Sequence, residues 1–137
     1  MNVRVCESAV VRGSVARAHT AVRTLAFAAR AEPMGDDRYD VLLRGGVPCG
    51  GTARVTYVVL PATSRTRVAM AGHSPGVRTL ETYEFVELRA GAARVADEFG
   101  VNYTCVLSLS GWRQCFAPLF ARRARTLALR ALQAEYF

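Results

Sequence analysis

Val77-Arg78-Thr79-Leu80-Glu81-Thr82-Tyr83-Glu84-Phe85-Val86-Glu87-Leu88 is followed, across Arg89-Ala90-Gly91-Ala92, by a second extended stretch from Ala93 to Leu107. Both stretches are rich in β-branched and aromatic residues, and the link between them is short. That combination predicts an antiparallel hairpin. Side chains two apart in a strand share a face. One face therefore carries Val77, Thr79, Glu81, Tyr83 and Phe85, with Val95, Asp97, Phe99, Val101, Tyr103 and Cys105 on the second strand. The reverse face holds Arg78, Glu84, Arg94 and Glu98, although Leu80, Val86 and Leu88 are apolar there too. The first face is apolar and is interrupted by a few acids and tyrosines.

The same alternation runs back through the chain. Arg65 to Ala71 is a strand with Val68 and Met70 inward, and His73-Ser74-Pro75-Gly76 turns it. Thr52 to Leu60 is a strand presenting Ala53, Val55, Tyr57 and Val59, and Pro61 to Ser64 turns the chain after it. Arg38 to Arg44 presents Tyr39, Val41 and Leu43, and Gly45 to Gly51 reads as a turn. Glu32-Pro33-Met34-Gly35-Asp36-Asp37 reads as a loop. Val15, Ala18, Val22, Leu25 and Ala29 recur at helical spacing and predict a helix from Val15 to Arg30, capped by the Ser14 hydroxyl. Val3 to Val11 is a first strand with Val3, Val5, Glu7, Ala9 and Val11 inward. At the other end Gly111 closes the sheet. Trp112, Phe116, Phe120, Leu127 and Ala131 then form the stripe of a helix from Trp112 to Phe137. Pro118 either kinks that helix or marks the first turn of its main part. The order is strand, helix, five strands, long helix. It predicts an α+β fold in which one curved antiparallel sheet wraps against a long carboxy-terminal helix.

Composition bounds the function. With 137 residues, half of them hydrophobic, and no repeat or linker, the chain is expected to form one domain over residues 1–137. Its longest apolar stretches, such as Val55 to Leu60, are too short to span a bilayer, so no integral membrane contact is expected. The amino terminus reads as a strand and not as a secretory leader, so a cytoplasmic location with reduced cysteines is expected. The net charge is +7, and all eighteen basic residues are Arg. With no Lys or Ile in the chain, this reads first as coding bias in a GC-rich genome. The cysteines Cys6, Cys49, Cys105 and Cys115 form no CxxC pair. With His19 and His73 they give no zinc-like spacing, so neither a metal nor another cofactor is expected.

A concave sheet lined by Ala, Val and Thr among tyrosines leaves space under a closing helix. An apolar cavity with few polar contacts is therefore expected.

The opening Val-rich strand, the helix Ser14-Val15-Ala16-Arg17-Ala18-His19-Thr20-Ala21-Val22, the Thr79–Phe99 hairpin and the final helix carrying Leu119-Phe120-Ala121-Arg122-Arg123 together resemble the START-like (SRPBCC, helix-grip) superfamily. The resemblance covers nearly the whole chain. That superfamily includes the polyketide cyclase/dehydrase group, plant pathogenesis-related allergens and lipid-transfer domains. The resemblance implies a helix-grip fold with a hydrophobic-ligand pocket between sheet and last helix. Seven strands are common there, whereas six are legible here. Some members bind or carry ligands, and others promote cyclisation or dehydration of a polyketide chain. It carries no active-site residue over by motif.

Glu7, Glu81 and Asp97 are the acids on the predicted inner face. A partly desolvated carboxyl there could exchange protons with a carbonyl or enol. Alternatively, such an acid lies at a strand end in solvent or pairs with an Arg. Tyr83 is a candidate hydroxyl donor in catalysis. Tyr39, Tyr57 and Tyr103 are candidate ligand contacts, or half-buried core. Phe99, Trp112, Phe116 and Phe120 are the candidate apolar wall. Arg123 could hold an anion at the pocket mouth or point to solvent. His19 and His73 could titrate near neutral pH in catalysis but read first as surface or loop residues. Cys6, Cys105 and Cys115 could offer a nucleophile but lack an evident His/Asp partner, and read first as buried thiols. The Gly45–Gly51 run lacks the residues of a P-loop. The arginine-bearing outer face lacks stacking aromatics, which disfavours nucleic acid, while a basic rim suits an acidic acyl carrier protein. Leu129 and Leu132 lie off the helix stripe and could pack a second copy in a homodimer. The favoured reading is a polyketide cyclase or aromatase/dehydratase-like enzyme. The alternatives are a carrier for a lipid, quinone or other hydrophobe, and an interaction module using the cationic face.

Overall fold

The computed structural model describes residues 1–26, 28–44, 52–91 and 93–131. The elements run β1 (Asn2–Arg12), α1 (Val15–Arg23), β2 (Arg30–Gly35), β3 (Arg38–Arg44), β4 (Thr52–Val59), β5 (Arg67–Ser74), β6 (Val77–Ala90), β7 (Ala93–Leu109), a 3-10 helix (Gly111–Phe116) and α2 (Ala117–Ala131). The seven strands make one antiparallel sheet in the order β1-β7-β6-β5-β4-β3-β2. The fold is α+β, as the alternation predicts.

The strand parity holds where it matters. Val5, Val11, Val41, Leu43, Tyr57, Val59, Val68, Met70, Tyr83, Phe85, Phe99, Val101, Tyr103 and Cys105 are all buried. Arg4, Arg12, Arg38, Arg54, Arg67 and Arg78 are exposed on the other side. Burying the first set removes apolar surface from water, which is the main favourable term in folding.

Four expectations are corrected. First, the loop at Glu32–Asp37 contains an additional strand: β2 pairs with β3 from Arg30↔Leu42 onward, with a register shift between Pro33 and Gly35. Pro33 lacks a backbone donor, which an edge strand tolerates. Second, α1 stops at Arg23 and not at Arg30. Leu25 takes a left-handed φ of 59° and is 1% exposed, while the Ala29 amide already bonds to the Leu42 carbonyl of β3. The left-handed turn costs a Leu about 1–2 kcal/mol, comparable to what burying its side chain contributes. Third, Ser14 occupies the cap position of α1, but its hydroxyl makes no capping bond. Fourth, the last helix divides. Residues Gly111–Phe116 are 3-10, and Pro118 lies in the first turn of α2, where its missing N–H has no intrahelical partner to lose. The stripe rotates with that change. Ala117 and Ala128 are buried and Phe120, Ala121 and Ala124 pack on the core, whereas Trp112 and Phe116 are exposed. The expected Gly45–Gly51 turn with Cys49, the segment beyond Ala131 including Leu132, and the side chains of Val95, Leu127, Arg130 and Ala131 lie outside the described residues.

Two features of packing position the site. α2 lies over β1 and β7 at one side of the sheet, and α1 crosses β5 and β6. In addition, β4 pairs with β5 only from Thr56 to Val59, so Thr52–Arg54 run on beyond the end of β5. The space between that splayed strand and the helical segment stays open.

Candidate functional site

That space is a cavity of about 640 Å³. Its wall is mostly apolar, with Leu43, Val55, Val77, Leu107, Phe120 and Ala124 among the lining residues. α2 contributes Leu119, Phe120, Arg123 and Ala124 to the lining, whereas its Ala121 and Ala128 pack on the core.

Cross-strand register builds the floor. One row of directly paired residues is Tyr57, Gly72, Thr79 and Leu107. The next is Val59, Met70, Glu81, Cys105 and Val5. A third is Val68, Tyr83, Tyr103 and Glu7. Gly72 has a specific task in the first row. A Cβ there would lie 2.9 Å from Tyr57 Cε1, so a bare backbone is what lets the Tyr57 ring cross β5.

Glu81 is the centre of the polar floor. It is 7% exposed, and it is the one buried charged residue among those described. The Tyr103 hydroxyl donates to its Oε1 at 2.7 Å, and the Thr79 hydroxyl makes a longer contact of 3.4 Å to Oε2. Burial raises the Glu81 carboxyl above its usual range, against the opposing pull of hydrogen bonds from Tyr103, Tyr57 and Thr79. Burial, then the Glu81 charge, pushes the Tyr57, Tyr83 and Tyr103 hydroxyls above their ordinary value, which keeps them neutral donors. The Tyr83 and Tyr103 rings lie 4.8 Å apart at 54°, which fixes the orientation of the donating phenol.

The sequence-derived candidates separate into two groups. Glu81, Tyr57, Tyr83, Phe120, Trp112, Phe116 and Arg123 line the cavity, and Tyr103 reaches it through Glu81. Trp112 and Phe116 do so as exposed residues at the mouth, with rings 5.8 Å apart. Four candidates lie elsewhere. Asp97 is exposed, with φ 61°. Between Glu87↔Phe99 and Arg89↔Arg94, β6 advances two residues while β7 advances five, and this bulge resets the alternation at Asp97. Glu7 is half-buried and faces Arg125 of α2 at 3.6 Å, the paired reading. Tyr39 is half-buried beside the core, and Phe99 is core packed edge-on to Phe85 at 6.0 Å.

Several wall residues escaped the sequence reading. Thr79 shares parity with Glu81, which was the available signal. Gly72, isolated inside a strand, marks a close approach. His73 lines the cavity at the end of β5, whereas His19 contacts the Ser64 carbonyl outside it. Among the described residues, no three His, Cys, Asp or Glu side chains converge as a metal site. No described helix is long and apolar enough to cross a membrane.

The thiols are also reassigned. Cys105 is buried in the cavity wall, but Cys6 and Cys115 are exposed, contrary to expectation. Burial, reinforced by Glu81, pushes the Cys105 thiol up to about 12. At pH 8 its thiolate fraction is then on the order of one in ten thousand. Iodoacetamide should alkylate Cys6 and Cys115 of the native protein and spare Cys105, as read by peptide mass mapping. Equal labelling of Cys105 and Cys115 would contradict the enclosed wall.

No family model and no curated protein matches the sequence. Solved structures do match. A START superfamily protein from Mycobacterium smegmatis superposes with a TM-score of 0.69 at 9% identity, over 94% of this chain and 93% of that one. The di-domain ARO/CYC StfQ from the steffimycin biosynthetic pathway gives 0.63 at 14% identity, over 96% of this chain and 49% of that one. Ara h 8.0201 gives 0.56 at 9% identity, over 94% of this chain and 99% of that one. The chain therefore has the START-like helix-grip fold.

Proposed function

We propose that this START-like chain encloses a hydrophobic, polyketide-like molecule between its sheet and α2 and promotes its cyclisation or dehydration by proton transfer through Glu81. The observation that carries the reading is a buried carboxyl, oriented by Tyr103, on the floor of an apolar cavity of about 640 Å³. A cavity of that size is in the range that accommodates small organic ligands. Solved ARO/CYC proteins of the same fold support the substrate class.

The chemistry balances with one residue moving the proton. As carboxylate, Glu81 takes a proton from a carbon between two carbonyls. That carbon attacks a ketone carbon of the same folded chain, and a C–C bond forms. The neutral acid returns the proton to the former ketone oxygen, which becomes a hydroxyl. In dehydration Glu81 takes a second α-proton, and the hydroxyl leaves with it as water. Tyr83, a neutral hydroxyl in the same wall, would donate a hydrogen bond to the developing oxyanion, while Tyr57 and Tyr103 hold Glu81. A raised carboxyl suits both halves, because the acid and its base are then both accessible nearer neutral pH. The enclosing wall holds the chain folded, so that an intramolecular reaction replaces a slow search. A substrate tethered to an acyl carrier protein would enter past Trp112, Phe116 and Leu119.

A second reading follows from the same wall. With one acid amid apolar side chains, the cavity also suits a carrier for a lipid or quinone. Incubation with a synthetic β-polyketone thioester tests between them. A ring-closed product lacking one water, formed faster than in buffer, is expected. An unchanged spontaneous product mixture, together with a stoichiometric hydrophobe seen by native mass spectrometry, would establish the carrier instead.

A further inference from the structure

The cavity lining includes one acid, Glu81, and two arginines, Arg113 and Arg123, while Arg54 borders it from a strand position whose side chain is exposed on the outer face. The groups acting on Glu81 are Tyr103, Tyr57 and Thr79, with no guanidinium among them. Arg113 has a defined seat at the mouth. Its Cζ stacks 4.5 Å from the centroid of the Trp112 ring. Its guanidinium also rests on the turn between β5 and β6, where a Cβ on Gly76 would fall 2.6 Å from Nη1. Gly76 has φ 73°, so a glycine there serves both the turn and the arginine. Arg54 faces Asp40 at 3.9 Å, but no carboxylate among the described residues pairs with Arg113.

A stacked guanidinium loses little freedom when it binds, and its fork of donors matches a carboxylate or a phosphate. A cleft lined by one sign of charge also concentrates the opposite sign at its mouth. From Val77, beside Gly76, to Glu81 the strand advances four residues, roughly 13 Å. We infer that the ligand is an amphiphile whose apolar body fills the hollow and whose anionic end, a carboxylate or a phosphate monoester, is held at the mouth by Arg113. The inference rests on the cavity being the ligand site, as proposed above.

The test uses the full chain and three probes of equal length below their micelle concentrations: dodecanoate, dodecyl phosphate and dodecanol. Calorimetry gives the affinities. The emission of Trp112, the chain's one tryptophan, reports arrival at the mouth. At least one anion is expected to bind about tenfold or more tightly than the alcohol. The tighter of the two identifies the headgroup. That advantage should shrink with added salt and vanish in Arg113→Gln, with dodecanol affinity unchanged. Equal binding of all three by the native chain overturns the inference and leaves the cavity reading standing. An anion preference that survives in Arg113→Gln, or does not respond to salt in the native chain, also overturns it. No binding by any probe, with Trp112 emission unmoved, removes the cavity reading and the inference together. If the variant does not fold, the salt dependence of the native chain decides alone.

Discussion

Phe99→Ala is expected to lower stability by about 3–5 kcal/mol, seen as a fall of roughly 10–20 °C in the thermal midpoint. The ring is 1% exposed, pairs with Val11 of β1 and Glu87 of β6, and meets Phe85 edge-on. It also abuts the bulge that bends β7 at Asp97, so the backbone there is held on one side and cannot easily collapse into the void. A domain of this size has about 5–15 kcal/mol to lose, so the variant should be marginal at body temperature. The ring is not part of the cavity wall. Molecules that remain folded should therefore bind a hydrophobe as the native chain does. Denaturant unfolding and calorimetric titration at low temperature read the two properties separately. A variant of native stability that has lost its ligand would return Phe99 to the site and refute the placement in the core.

The contrast between Phe99 and Glu81 shows what alternation can and cannot tell. A period of two survives as long as each residue keeps its partner. From Val77 to Phe85 it does, and Thr79, Glu81 and Tyr83 all face inward as their spacing says. At Asp97 three extra residues of β7 are absorbed by the bulge, and nothing local in the composition announces it. Parity also says only that a side chain is inside, not whether it meets a wall or a neighbour. Phe99 and Tyr57 look alike on that criterion. What separates them is the bare backbone at Gly72 beside one and the Phe85 ring beside the other.

The helical errors have a different origin. Trp112 and Phe116 fall on an α-helical stripe only at 3.6 residues per turn. The 3-10 geometry of that segment rotates them outward, where they border the entrance. Large apolar residues dominate any search for a buried stripe, so Ala117, Ala121, Ala124 and Ala128 were passed over. Yet Ala117 and Ala128 are buried, and Ala121 and Ala124 pack on the core. β2 was hidden for a related reason, since Pro33 and Gly35 carry turn chemistry in a strand that pairs on one edge alone.

Glu81→Gln separates the proton from the carboxamide shape that replaces it. The amide oxygen can still accept the Tyr103 hydroxyl, so the floor should keep its geometry and ligand affinity should change little. Turnover of a cyclisable substrate should fall about a hundred- to ten-thousand-fold, the usual worth of a positioned acid–base group. Stability should change with a defined sign. Glu81 in the native chain titrates above the ordinary 4.5 because burial disfavours its charge. Between the unfolded and the folded value, the native state binds more protons than the unfolded state, so stability falls as pH rises. The benefit of the neutral acid is complete below the unfolded value and is lost as pH passes through the folded one. Glutamine does not titrate and lacks that slope. The midpoint of Glu81→Gln, measured against the native chain, should therefore rise progressively from acid toward neutral pH. A flat difference across that range would mean that Glu81 is solvated as in the unfolded chain. Retained turnover with a rising difference would leave a buried acid that takes no part in chemistry, and with it the carrier reading alone.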